Sequence, residues 1–130
     1  MRLIPTLTLC IALATPVLAK PHLREVKEID DTLMQIAIAA EIRKTCDGIN
    51  ARMIRAFAQV TQLESRAKSM GYSKDEIDDY VSSKSEKRRM RDKASAWLAS
   101  QGVDAKDDAA LCGFGKDQIK KDTYIGSLLR

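Results

Sequence analysis

Between Asp30 and Lys44, apolar residues recur at helical spacing on two faces: Leu33, Ile36, Ala37 and Ala40 on one, Met34, Ile38 and Ile42 on the other. A helix that is apolar on more than one side is mostly buried. Asp30 and Asp31 suit its start and Arg43 and Lys44 its end, and Cys46-Asp47-Gly48 interrupts it. A second helix is predicted over 49–70, where Ile49, Met53, Ala56, Phe57, Val60, Leu63 and Ala67 form the clearest amphipathic stripe and Gly71 ends it.

Ser73 and Glu76 have the spacing of a capping box, and Asp75, Asp78 and Asp79 add acid to the first turns that follow. A third, long helix is therefore expected from Lys74 to Gln101, stopping at Gly102. Asp104 suits the cap of a shorter fourth helix carrying Cys112, and the tail TYIGSLLR is apolar enough to dock on the body or on a partner. With no repeat and no linker, the pattern predicts an all-α domain of three to four helices over residues 30–130, behind a flexible segment at 20–29. Aromatic residues make up only 5% of the chain, which fits close-packed helices better than a sandwich of strands.

The first nineteen residues, MRLIPTLTLCIALATPVLA, change the picture of where the protein works. Arg2 precedes an apolar run from Leu3 to Leu13, then Pro16, then the small ending Val17-Leu18-Ala19. That order is a secretory signal peptide, with Lys20 expected as the first mature residue and a periplasmic or secreted destination. The run is shorter than the roughly 20 residues that cross a bilayer. Cys10 lies in mid-run with no small residue before it, unlike a lipidation site.

Loss of the leader removes Cys10 and leaves Cys46 and Cys112, which in an oxidising compartment most simply form one disulfide. A redox-active or metal-binding thiol pair would want CxxC spacing or a nearby histidine, and neither is present. The leader also takes Arg2, lowering the net charge from +4 to +3, a weak balance for nucleic-acid binding. No transmembrane segment is expected after its removal.

Candidate chemistry is sparse. The single histidine, His22, sits near the expected mature terminus, so Ser/His/Asp or Cys/His catalysis lacks its base. HExxH and CxxCH do not occur, LCGFGK is too short for a phosphate loop, and the methionines read as packing residues. The acids at 75–79 and 104–108 sit where helices begin, so capping accounts for them before a catalytic pair does. No catalytic, cofactor-binding or metal-binding residue is assigned, and no cofactor is expected.

The segment KSEKRRMRDK, residues 84–93, is the exception to an otherwise bland surface. On one continuous helix Lys84, Lys87, Arg88 and Arg91 fall within roughly 100° of arc. They lie in line with Ile77, Tyr80 and Val81 before them and Leu98 after them, interrupting an apolar stripe instead of lying opposite it. Either these turns stand clear of the body, or they form a site for an anionic partner such as an acidic protein or lipid head groups.

The chain resembles a family of short exported proteins of unknown function from alphaproteobacteria, on EIRKTC, INARMIRAF, LESRAKSMGYSKDEID, LCGFGKDQI and IGSLLR. The resemblance covers most of the chain from Leu33 onward and implies a mostly helical fold with no assigned catalytic residue. Some similar proteins have genes among those for the respiratory NADH dehydrogenase, which adds a respiratory membrane complex as a partner. The expected function is a non-catalytic exported protein that binds another protein in the envelope. The alternatives are a small envelope hydrolase using carboxylates and an accessory protein of that complex.

Overall fold

The computed structural model describes residues 19–130, so the expected leader, apart from its last residue Ala19, lies outside the described residues. Those residues form six α-helices and one 3-10 turn, with no strand longer than a single bridge. The turn Leu23–Glu25 leads into α1 (Lys27–Thr45), followed by α2 (Met53–Ser69), α3 (Lys74–Ser82), α4 (Lys84–Ser100), α5 (Asp108–Lys120) and α6 (Tyr124–Ser127).

α1 is the centre of the molecule. Asp30, Met34, Ile38, Ile42 and Cys46 recur every fourth residue and all five are buried, as side chains one turn apart share a face. Ile38, Ile42 and Cys46 pack with Met90 and Leu98 of α4, Leu111 of α5, and Ile125, Leu128 and Leu129 of the tail. A smaller cluster at the other end joins Leu23, Ile29, Ala67, Tyr72, Ile77 and Tyr80. The segment 20–29, expected to be flexible, is instead packed on the body. Leu23 and Ile29 are buried, the Tyr72 hydroxyl donates to the Pro21 carbonyl at 2.5 Å, and Lys20 pairs with Glu76 at 2.8 Å. These apolar side chains supply burial that a frayed terminus would leave in water.

The expected long helix is two helices. Ser83 adopts φ −64°, ψ 138°, which ends α3, and its hydroxyl accepts from the Glu86 amide to cap α4. Serine competes for backbone hydrogen bonds and favours caps over helix interiors, so Ser82-Ser83 was a usable signal for the break. The basic segment therefore opens a new helix, yet Lys87 and Arg91 still share a groove with Tyr80, Val81 and Leu98. The capping box of Ser73 and Glu76 forms as expected. The helix carrying Cys112 is capped by Asp107, not Asp104.

The disulfide joins Cys46 at the end of α1 to Cys112 in α5, with the cysteines 66 positions apart. In the chain-entropy picture a closed loop of this length stabilises a fold by about 4 kcal/mol. The C-terminal tail docks at home: Asn50 and Arg130 exchange both backbone hydrogen bonds, at 2.7 and 2.8 Å, and Leu128 and Leu129 are buried. α6 passes so close to α5 that a Cβ at Gly126 would collide with the Gln118 carbonyl, which leaves room for glycine alone.

The stripe of α2 does not enter the core as its periodicity suggested. Ile49 is buried but lies before the helix; within α2 only Ala67 is buried, Ala56 and Leu63 pack partly, and Met53, Phe57 and Val60 stand in solvent with Ile54 beside them.

Candidate functional site

A groove of about 740 Å³ runs between α1 and α4, closed at one end by the loop before α5. α1 lines it with Leu33, Ala37 and Ala40; α4 contributes Met90, Ala94 and Leu98. The cause lies in the small side chains. Two helices normally interlock large residues across their seam, but Ala37, Ala40 and Ala94 fill little of the space between the axes. Ile38, Met90, Leu98 and Leu111 form a floor that is closed to water below.

The rim is basic. Arg43 and Lys44 end α1, Lys87 and Arg91 stand on the first turns of α4, and Lys106 comes from the loop before α5. All five are exposed, and none has an acidic partner among the described residues. The acids at the groove are Glu41 and Glu86, and Glu86 is already held by Arg24 and by Arg89 at 2.8 Å. Five unpaired cations, opposed at the groove by the exposed Glu41 carboxylate alone, set up a positive potential over a low-dielectric floor that attracts an anion.

The four residues singled out from the sequence divide here. Lys87 and Arg91 line the groove, whereas Lys84 and Arg88 are exposed and unpaired on the same helix without lining it. Arg43, Lys44 and Lys106 were not singled out. They come from other elements, and only the folding of α1 and the loop against α4 brings them to one rim.

The remaining bases of α4, Arg89 at the edge of the groove and Lys93 beyond it, serve the fold. Asp30 is buried and accepts from the Tyr80 hydroxyl at 2.5 Å, from Arg89 through both guanidinium ends at 2.5 and 3.1 Å, and from Lys93 at 2.5 Å. Lys93 also reaches Asp31 at 2.6 Å. Burial alone would raise the Asp30 carboxyl, but the Arg89, Lys93 and Tyr80 hydrogen bonds overcome it and hold it at about 2. Burial, and then the neighbouring Asp30 carboxylate, push the Tyr80 hydroxyl far above its ordinary value. The cluster pins α1, α3 and α4 together with every charge matched, as a buried carboxylate requires. Its signal was present in the sequence: Asp30 shares its face with Met34 and Ile38, an apolar setting that an exposed capping acid would not occupy.

The acid-rich starts of helices do structural work. Glu76 completes the box with Ser73, Asp78 pairs with Lys74 at 2.6 Å, and Asp104 accepts from the Lys106 amide at 2.9 Å. His22 is exposed, with its backbone amide donating to Glu25. Among the described residues no group of three His, Cys, Asp or Glu side chains is placed to hold a metal, and no helix is long and apolar enough to cross a membrane.

Fold and site together define a disulfide-bridged, all-helical protein with an apolar groove under a basic rim. The chain belongs to the family of unknown function DUF5333, which residues 21–130 match. No curated protein and no solved structure matches it.

Proposed function

We propose that this is a non-catalytic exported protein that acts by binding another protein in the periplasm or envelope, and that the α1–α4 groove receives an acidic segment with an apolar face. The observation that carries the reading is the concentration of unpaired cations, Arg43, Lys44, Lys87, Arg91 and Lys106, around an apolar floor. An amphipathic helix laid in such a groove buries its apolar anchors on the floor and sets its carboxylates against the rim. The leader pattern supports export, and a disulfide suits an oxidising compartment. Genes of similar proteins near those for the respiratory NADH dehydrogenase add a membrane complex as one home for the partner.

The hydrolase reading finds less support. A general acid needs a carboxyl raised toward neutrality, and Asp30, the strongly perturbed buried carboxyl, is held ionised.

The test is affinity capture from the native envelope with tagged protein, followed by binding of the recovered partner's acidic segment as a synthetic peptide. Combined Lys87→Gln and Arg91→Gln should weaken peptide binding about tenfold and flatten its dependence on salt. The same change at Lys116 and Lys120, unpaired bases of α5 that do not line the groove, should leave binding unchanged. Equal binding by the groove variant and wild type would place the partner elsewhere.

A further inference from the structure

We propose that the exposed face of α2 is a homodimer interface, pairing antiparallel with α2 of a second copy of this chain. Met53, Ile54, Phe57 and Val60 leave 63%, 90%, 74% and 44% of their surface in water. Met53 and Ile54 each lie three or four positions before Phe57, and Val60 three after it, so they form one patch along about two turns. At about 200 Å² for a large side chain, the patch presents roughly 500 Å² of apolar surface, as much as a monomer ordinarily exposes in one place.

Charge distinguishes this face from the groove and selects its occupant. Arg52 and Arg55 keep their charge, but helical phase sets both on the side of α2 away from Phe57, and the other bases of α2 are paired. Arg52 donates to the Leu129 carbonyl at 3.1 Å and Arg55 to that of Ser127 at 3.2 Å; Arg66 pairs with Glu28 and Lys68 with Glu64. An anionic lipid surface, or an acidic protein, would be met by a fringe of free cations. No cation lies among Met53, Ile54, Phe57 and Val60, so the complement of this face is another uncharged apolar patch.

The patch is its own complement. In an antiparallel pairing with the two-fold axis at Phe57, each Val60 meets the partner copy's Ile54 and no charges are opposed. An isologous contact of this kind closes as a dimer and leaves no open edge. Counted from both copies, the apolar area available for burial is at most about 1,000 Å², the size of a weak interface. No residue of α2 lines the α1–α4 groove, so both grooves stay open and a dimer engages a paired partner with avidity.

Sedimentation equilibrium of the purified protein between about 1 and 100 µM should show a monomer–dimer equilibrium, since an interface of this area is a weak one. Phe57→Glu and, separately, Ile54→Glu should each weaken association at least tenfold. Both positions are solvent-exposed, so the circular dichroism spectrum and unfolding midpoint of the monomer should be retained; Phe57→Leu should still dimerise. A wild-type protein that is monomeric throughout the range, or dimers that survive both glutamate variants, would overturn the assignment. So would co-sedimentation of monomeric wild type with phosphatidylglycerol vesicles that is lost in Phe57→Glu, which would give the face to a membrane.

Discussion

Asp30 shows how a single side chain ties charge to stability. Its carboxyl titrates near 3.8 when the chain is unfolded and at about 2 when Arg89, Lys93 and Tyr80 hold it. The folded state therefore binds fewer protons between these values. The stabilisation, about 2 kcal/mol, is complete above the unfolded value and disappears as pH falls through 3.8 toward 2. Asp30→Asn should cost about 3 kcal/mol at pH 7, because Arg89 and Lys93 lose their partner in a half-buried setting. Urea unfolding at pH 7 and again near pH 2.5 checks both, with the gap between variant and wild type expected to narrow in acid. Residues 30 and 31 were legible in the sequence as acids of a helix start. The face shared with Met34 and Ile38 signalled the burial of Asp30, but its partners Tyr80, Arg89 and Lys93 were not legible, because they depend on which side of α1 the later helices α3 and α4 cover.

At the scale of elements, local signals located most helices well. Ser73 with Glu76, Gly71, Gly102 and the cysteines at 46 and 112 all function where spacing put them. The junction at Ser83 was missed because periodicity carries across a one-residue break, and a serine cap is a weaker mark than glycine or proline. Ser83 both ends α3 and starts α4, so Ser83→Ala should lower stability by about 1 kcal/mol. Hydrogen exchange should show the added opening at the Glu86 and Lys87 amides and not at α5. α2 teaches the opposite lesson. Its stripe was the clearest in the chain, yet amphipathic spacing shows only that a face needs covering. It says nothing about whether the cover comes from this chain.

For the whole molecule, the groove could not have been derived from any single segment. Its rim needs Arg43 and Lys44 at the end of one helix, Lys87 and Arg91 near the start of another and Lys106 from a loop. The sequence pointed to the two on α4 because they share one face of a basic segment, while the other three became relevant only through tertiary placement. Replacing Cys46 and Cys112 together with alanine should reduce stability by about 4 kcal/mol and shift the urea midpoint accordingly. The helices that line the groove should remain, since Ile38, Ile42 and Leu111 stay packed around the site of the bridge.

The same bridge has a consequence for survival under proteolysis. Its covalent ring encloses everything from Asp47 to Leu111, which takes in α2, α3, α4 and the loop carrying Lys106. A single protease cut anywhere in that ring yields two pieces that remain joined. Gel electrophoresis of trypsin-nicked protein should therefore give one full-size band without reductant and two fragments with it. The groove would persist through such damage for as long as the sulfurs stay paired.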